Sequence, residues 1–284
     1  MIIVLGATGQ IGSGVLQELS KYEELLVGVT RRTVECSDRK GYSMRRADLF
    51  DCSALKSVLK DGRTVLLMTP ENPSSTDPIS DAEKIIENYR EAIKGSDIER
   101  IVGLSSIGAQ FNTGTGNLVI SNMLENAFAD LSIEQIFVRP AYFFSNWLGF
   151  VNTARKTGVL YTFFPVDLKI HMVAPRDVAR FIGRLIILGD FNKRIYELTS
   201  SHSYSALDVA EILSIQWSRD IRTEQILPEY WLDTLLRAGF TEKAANGLAD
   251  MTKAVIEGKV YPESQEHERE ILSTTLVEYF SKKS

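Results

Sequence analysis

Ile2-Ile3-Val4-Leu5-Gly6-Ala7-Thr8-Gly9-Gln10-Ile11-Gly12 stands at the head of a 284-residue chain, and its reading decides the fold. Ile2 to Gly6 begins as a continuous apolar run, the pattern of a strand buried on both faces of a parallel sheet. From Gln10 to Leu19 the apolar residues Ile11, Val15, Leu16 and Leu19 fall at helical spacing. Three glycines occupy the junction. Gly6 allows a tight turn, Gly9 lets the backbone come close to a pyrophosphate, and Gly12 lets helix and strand pack closely. The helix start adds unpaired N–H groups and the positive end of its dipole. Strand, glycine loop and helix in that order assign Gly6, Ala7, Thr8, Gly9, Gln10, Ile11 and Gly12 to the phosphates of a dinucleotide; a purely structural turn is the alternative.

The alternation continues outward. Leu25–Thr30, Thr64–Met68, Arg100–Leu104 and Ile133–Val138 read as further strands, and Asp51–Leu59, Asp77–Lys94 and Asn117–Ala129 as helices. In the longest of these, Ile79, Ala82, Ile85, Ile86, Tyr89 and Ile93 share one face. Strand, helix, strand, repeated from the first residue, predicts an α/β fold: a doubly wound parallel sheet with helices on both faces. Beyond Val138 the pattern loosens, and five of the eight prolines (Pro140, Pro165, Pro175, Pro228 and Pro262) fall there. Helices are expected at Pro175–Leu188, Ala206–Gln216, Pro228–Ala238 and Thr241–Glu257, with short strands at Lys169–Val173 and Arg194–Leu198. The expected organisation is a dinucleotide-binding domain over 1–140, with segments near 169–199 returning to it. A smaller, mostly helical substrate lobe is expected over 141–284.

Hydrophobic residues at 44% and charged residues at 24% are the proportions of a globular chain. Lys and Arg number 32 against 37 Asp and Glu, a net −5 with no basic block, which argues against nucleic acid. Cys36 and Cys52 are too few for a disulfide framework or a cysteine-rich zinc site, and no His-Glu or Cys-His spacing suggests another metal. No apolar run reaches the roughly 18 residues of a membrane span, and no basic segment or cleavage signal precedes Ile2. A soluble, thiol-reduced, cytoplasmic protein with no membrane partner is expected.

The end of the second strand selects the cofactor. An acid there would hydrogen-bond the ribose 2′-hydroxyl of NAD, whereas arginine accommodates a 2′-phosphate. Thr30 is followed by Arg31 and Arg32, with no acid before Glu35. NADPH is therefore expected over NADH, with Arg31 the main contact; two solvated loop arginines are the alternative. Asp48 and Leu49 fall where such folds line the adenine pocket, although Asp48 suits a turn or helix cap equally well. Met68 and Thr69, ending the Thr64–Met68 strand, are assigned to the cofactor, as are Ser105 and Ser106, which are placed against its ribose or nicotinamide.

In order along the chain, Gly6 to Gly12, Arg31, Ala47-Asp48, Leu104-Ser105-Ser106-Ile107-Gly108, Val138-Arg139-Pro140-Ala141-Tyr142-Phe143-Phe144-Ser145-Asn146 and Asp177-Val178-Ala179 form an ordered set. It resembles the NmrA-like branch of the atypical short-chain dehydrogenase/reductase superfamily, over nearly the whole chain. The resemblance extends to Tyr196-Glu197-Leu198-Thr199 and the segment Asp208 to Leu213. It implies a Rossmann fold with a small C-terminal substrate lobe, and a Tyr142 segment that faces the nicotinamide. The family it implies spans NAD(P)H:quinone oxidoreductases, triphenylmethane dye reductases, ergot-alkaloid iminium reductases and non-catalytic redox sensors.

The chain departs from the superfamily where the chemistry is usually done. An orthodox member protonates a developing alkoxide with Tyr-x-x-x-Lys and a serine. Here the segment Asn117 to Phe128 contains neither Tyr nor Lys, and Ser121 stands where NmrA-like reductases often carry His, four residues before Glu125. Tyr279 and Lys283 have the right spacing but lie in a polar tail and are set aside. Ketone reduction by the tyrosine mechanism is not expected. A quinone, a cationic dye or an iminium needs less help, because it accepts hydride when held against the nicotinamide. A pocket for such a flat aromatic or conjugated substrate is expected from Tyr142, Phe143, Phe144 and Trp147, with His171 nearby. Core packing competes as the role of each aromatic, and a structural role competes for His171. Tyr142 is the candidate for an oriented catalytic hydroxyl. Two functions stay open: an NADPH-dependent reductase of a flat electrophile, and a non-catalytic NADP(H) sensor with a protein partner.

Overall fold

The computed structural model describes residues 1–32, 41–189, 192–265 and 268–281. The strands are β1 (Ile2–Val4), β2 (Leu26–Thr30), β3 (Ser43–Arg46), β4 (Thr64–Met68), β5 (Arg100–Leu104), β6 (Glu134–Pro140), β7 (Tyr142–Phe143), β8 (Val159–Thr162), β9 (Ile170–Val173), β10 (Ile195–Ser200), β11 (Ser203–Tyr204), β12 (Arg222–Gln225) and β13 (Glu270–Leu272). The helices are α1 (Gln10–Leu19), α2 (Cys52–Leu59), α3 (Pro78–Lys94), α4 (Val119–Asn126), α5 (Leu148–Thr157), α6 (Pro175–Leu188), α7 (Ala206–Trp217), α8 (Trp231–Arg237), α9 (Glu242–Ile256) and α10 (Leu276–Ser281).

Eight strands form one parallel sheet in the order β13-β10-β6-β5-β4-β1-β2-β3. Strand order reverses between β1 and β4, so their carboxyl ends open the crevice in which doubly wound sheets bind ligands. β1, β2 and β4 are almost wholly apolar because helices cover both faces. The edge strand β3, Ser43-Met44-Arg45-Arg46, shows no apolar pattern because its side chains reach solvent. The segment around 170 does not enter the large sheet: β9 pairs with β7 and β11 in a small sheet of its own. By contrast β10 pairs with β6 inside the large sheet, and β13 closes its edge. β8 and β12 form a separate parallel pair. The helix expected over Asn117–Ala129 is a 3₁₀ turn at Gly116–Leu118 running into α4.

One face of the sheet is covered by α1 and α6, the other by α2, α3 and α4. The first pair crosses so closely that glycine is required at the contact. A Cβ on Gly14 would lie 2.7 Å from the Ala179 Cβ, and one on Gly183 would lie 2.8 Å from the Glu18 Cγ. A third core, built on Phe144, Trp147, Leu160, Met172 and Leu213, holds the C-terminal lobe together. Among the described residues no helix is long and apolar enough to cross a membrane.

Because α1 begins at the glycine loop, the α1–α6 contact sets where that loop sits. Gly14→Val should force the two helices apart at a cost of about 1–3 kcal/mol, read as a lower midpoint in chemical denaturation. An unchanged midpoint would show that the crossing is not tightly packed.

Candidate functional site

The glycine loop is built by steric necessity. Gly6 has φ +65°, a left-handed conformation that favours glycine, and a Cβ there would lie 2.6 Å from the Met68 Sδ. A Cβ on Gly12 would lie 2.3 Å from the Gly6 carbonyl oxygen, so helix and strand can meet only with glycine at this position. The Ala7 N–H donates to the Val29 carbonyl at 3.0 Å and the Gly9 N–H to the Gly6 carbonyl at 2.9 Å. Gly9 is different: its backbone is extended, and a Cβ would meet the Gly6 oxygen at a tolerable 3.2 Å. It caps α1 with no side-chain hydrogen bond, and Thr8, Gly9 and Gln10 are exposed. The first-turn N–H groups of α1 thus face an open crevice with no side chain to satisfy them. That is the cradle a dinucleotide pyrophosphate fits.

The other expected cofactor residues surround this loop. The Thr8 and Thr30 hydroxyls lie 3.2 Å apart and join the loop to the end of β2. Arg31 and Arg32 follow, both exposed and without an ion pair among the described residues; Glu35 and Cys36 lie outside those residues. The Ala47 N–H donates to the Thr30 carbonyl at 3.1 Å, which brings Asp48 beside the end of β2. There Asp48 accepts the Phe50 N–H at 3.0 Å, the turn role that its sequence allowed. The carbonyl of half-buried Leu49 accepts from Asn88 Nδ2 at 2.9 Å. The Met68 side chain lies beneath Gly6, its carbonyl accepts the buried Tyr89 hydroxyl at 2.8 Å, and Thr69 is half-buried at the crevice.

The hydroxyl of Ser105 turns inward. It donates to Glu125 Oε1 at 2.5 Å, and the residue is buried, whereas Ser106 stays half-buried with its hydroxyl on the Ile107 carbonyl at 3.1 Å. Glu125 also receives Arg139 through two parallel bonds, Nε to Oε1 and Nη2 to Oε2, each 2.7 Å. The Arg139 Nη1 donates to Glu263 and lies 3.6 Å from Glu197 Oε1. Glu197 in turn accepts the N–H groups of Glu263 at 2.9 Å and Ser264 at 2.8 Å. Burial by itself lowers the Arg139 pKa, but the bonds and charges of Glu125 and Glu263 outweigh it, and the net shift is upward. The sequence reading quoted Arg139 and Glu125 only as motif letters and missed this cluster. An arginine directly after the apolar run Ile136-Phe137-Val138 is the signal that could have shown it.

The expected aromatic wall is corrected by burial. Phe144 has no exposed surface and packs against Tyr204 and Tyr279 at ring separations of 5.8 and 5.4 Å; it is lobe core. Trp147 is 3% exposed, with its Nε1 3.3 Å from the Met172 Sδ. Phe143 packs against the core beneath α1 and α6. Met172, not His171, is in register with Tyr142, and alternate strand residues face opposite ways, so His171 projects from the other face. Tyr142 remains. It is half-buried, edge-on to Trp147 at 6.5 Å and to Phe164 at 5.6 Å. Burial pushes its hydroxyl pKa up, a hydrogen bond with Asn146 opposes this, and the negative charge of Glu71 adds to the rise. In the same segment Ser145 accepts from Gln10 Nε2 at 3.0 Å, which ties it to the glycine loop.

Glu71 lies three residues past β4. The residue is exposed, and partial desolvation pushes its pKa upward. A second concavity, between the start of α3 and α9, is lined by charges that pair with each other: Lys243 with Asp77, and Lys253 and Lys259 with Glu257. Among the described residues no cluster of acids, histidines or cysteines could hold a metal ion.

A parallel sheet with its switch point behind a glycine loop and an open helix start defines a dinucleotide-binding protein of the Rossmann class. The chain belongs to the NmrA-like family, whose model matches residues 1–280. It is 24% identical over 270 residues to quinone oxidoreductase 2 of Escherichia coli, covering 93% of this chain and 91% of that protein. To the NAD(P)H azoreductase of Xenophilus azovorans it is 23% identical, covering 88% and 86%. Its fold matches the NADPH complex of the Escherichia coli NADPH-dependent quinone oxidoreductase with a TM-score of 0.80 at 23% identity, over 99% of both chains. The Citrobacter triphenylmethane reductase complexed with NADP(H) matches with 0.79 at 19% identity, again over 99% of both.

Removing one partner of the Arg139 cluster leaves buried carboxylates unpaired. Arg139→Leu should cost about 3–5 kcal/mol in unfolding free energy at neutral pH, measured by urea titration. A loss below 1 kcal/mol, on the order of an exposed ion pair, would contradict the geometry described for it.

Proposed function

We propose that this protein is an NADPH-dependent reductase that passes hydride to a flat electrophilic acceptor, with no Tyr-Lys acid pair. The observation that carries this reading is the unsatisfied first turn of α1 opening on the crevice that also holds Tyr142. Relatives of similar length are named as a quinone oxidoreductase and an azoreductase, which supports the same chemistry. When bound, a reduced nicotinamide dinucleotide supplies two electrons and one proton as hydride. The chain's part is to hold and orient. The α1 N–H groups, with Gly9 and Thr8, would take the pyrophosphate, and Arg31 with Arg32 the 2′-phosphate. Asp48 and Leu49 would border the adenine, and Met68, Thr69 and Ser106 the ribose and nicotinamide.

The helix that would carry a Tyr-Lys pair carries Ser121 and Asn122 instead, and Asn122 Nδ2 is bound to the Ala109 carbonyl at 2.7 Å. The Ser105 proton is held by Glu125. Neither group is free to protonate an alkoxide, so the reading favours acceptors that stabilise the incoming charge themselves. Those same absences are what a non-catalytic sensor would show, and assay separates the two. Purified protein should oxidise NADPH when offered quinones or cationic dyes and leave simple ketones untouched; inertness toward every acceptor, with cofactor bound, would favour the sensor.

Cofactor choice is separately testable. Charge-assisted bonds to the 2′-phosphate contribute roughly 1.5–3 kcal/mol, so NADPH should bind about tenfold to a hundredfold more tightly than NADH, and Arg31→Ala should remove most of that difference. Equal affinities in the wild type would refute the assignment. Gly9→Val should abolish binding of either cofactor while leaving a folded protein, since its side chain would point into the pyrophosphate cradle. Retained affinity in that variant would mean that the loop is only structural.

A further inference from the structure

β3 carries two consecutive arginines, and strand geometry sends their side chains to opposite faces of the sheet. Arg45 is committed to the fold: its Nη1 donates to the Val58 carbonyl of α2 at 3.4 Å. Arg46 shares a face with Met44, and that face is the one that carries the glycine loop. A Cβ on Gly28, the register partner of Met44, would lie 2.6 Å from the Met44 Sδ, 2.8 Å from Leu16 Cδ1 of α1 and 2.9 Å from Ala7 Cβ of the loop. Two residues further toward the carboxyl end, Arg46 is the register partner of Thr30. The Thr30 hydroxyl lies 3.2 Å from that of Thr8 and accepts the Arg32 N–H at 3.4 Å. At Thr30, therefore, the glycine loop, the end of β2 and the end of β3 converge.

Three arginines leave the sheet at this corner of the crevice. Arg31 and Arg32 continue from β2, and Arg46 comes from the neighbouring strand, a spacing of about 4.8 Å that a guanidinium on its flexible stem spans easily. All three are exposed, and none forms an ion pair among the described residues. The acids that follow Arg46 in the chain are engaged with backbone: Asp48 accepts the Phe50 N–H at 3.0 Å and Asp51 the Ala54 N–H at 2.9 Å. The chain has more acids than bases, yet it sets none of them against these guanidiniums. Like charges at adjoining strand ends repel one another until an anion sits among them.

We propose that Arg46 is a specificity-determining residue of the dinucleotide site, taking the cofactor's 2′-phosphate from the β3 side while Arg31 takes it from the β2 side. The proposal rests on the NADPH reading and deepens it; it does not depend on what is reduced, and it holds equally for a sensor. A phosphate monoester presents three acceptor oxygens, so guanidiniums from two strand ends can engage it together. NAD has a hydroxyl at that position and offers Arg46 no charge to pair with.

The test is equilibrium titration with NADP⁺ and NAD⁺, and with 2′-AMP and 5′-AMP as fragments, which needs no turnover. Arg46→Gln should lower the ratio of NADP⁺ to NAD⁺ affinity by about fivefold or more. NAD⁺ affinity should stay at the wild-type value, which also shows that the variant is folded. Binding of 2′-AMP should weaken by a similar factor and that of 5′-AMP should not. Arg45→Gln is the control from the same strand and should leave the ratio unchanged. An unchanged ratio in Arg46→Gln, or an equal fall in Arg45→Gln, would overturn the proposal. If the ratio still falls in Arg31→Ala, the NADPH reading survives that failure. Equal wild-type affinities for NADP⁺ and NAD⁺ would overturn both.

Discussion

Arg139 on β6 is the interaction on which the joining of the chain's two halves depends. Bringing a guanidinium and two carboxylates out of water costs several kcal/mol per ion, and only near-complete hydrogen bonding offsets it. That condition dictates the neighbours. Glu125 must be presented by α4 in the plane of the guanidinium, which sets α4 against β5 and β6. Glu197 must come alongside from β10, which makes β10 rather than a lobe strand the neighbour of β6. Glu197 needs donors in turn, and the N–H groups of Glu263 and Ser264 supply them, so a segment late in the chain is drawn back to the sheet just before β13 pairs at its edge. A similar device anchors α6: the buried Asp177 carboxylate accepts the Thr274 N–H at 3.1 Å.

These ties place the lobe, and the lobe completes the crevice. The glycine loop is positioned from below by the close passage of Gly14 and Gly183 between α1 and α6, and from the side by Met68 under Gly6. The loop after β4 cannot be positioned by the sheet alone, because it leaves β4 as Thr69-Pro70-Glu71-Asn72-Pro73 with no regular structure until α3. It is α9 that fixes it, through Thr241 and Lys243. The carboxyl ends of β1 and β4 therefore owe their final geometry to residues more than 160 positions away, as the Thr241–Ser75 bond shows.

How much of this was legible in the sequence follows from how local each signal is. β1, α1, β2, β4, α3, β5 and α6 could be read from apolar spacing because each is flanked by its own caps and turns. Asp77 accepts the Ser80 N–H ahead of Pro78 at the start of α3, and Gly189 ends α6 with φ +65°. β3, Ser43-Met44-Arg45-Arg46, carries no apolar alternation, and the three residues of β13, Glu270-Ile271-Leu272, are too few to show one. The two-residue strands β7 and β11 are too short to show any period. At the site, the glycine loop was legible because sterics restrict those positions to one residue type. The aromatic run from Tyr142 to Trp147 was not: an aromatic side chain in a pocket and one in a core have the same sequence signature, and only tertiary burial separates Phe144 and Trp147 from Tyr142. Ser105 looked like a cofactor ligand because the partner that engages it, Glu125, is set by tertiary packing.

The same distinction between local and tertiary signals bears on which strand ends are open to carry chemistry. In a fold of this class the loops at the carboxyl ends of the strands are the places where chemistry can be installed without disturbing the sheet. The end of β5 is committed to the Arg139 cluster, since the Ser105 hydroxyl cannot leave Glu125 without leaving a buried acceptor short of a donor. The end of β2 is turned toward the arginines and the glycine loop through the Thr8–Thr30 contact. What remains are the ends of β4 and β6, which carry Glu71 and Tyr142. Stabilising the fold through Arg139 thus uses up the serine at the end of β5, and the positions open to the crevice are left to the loops that follow β4 and β6.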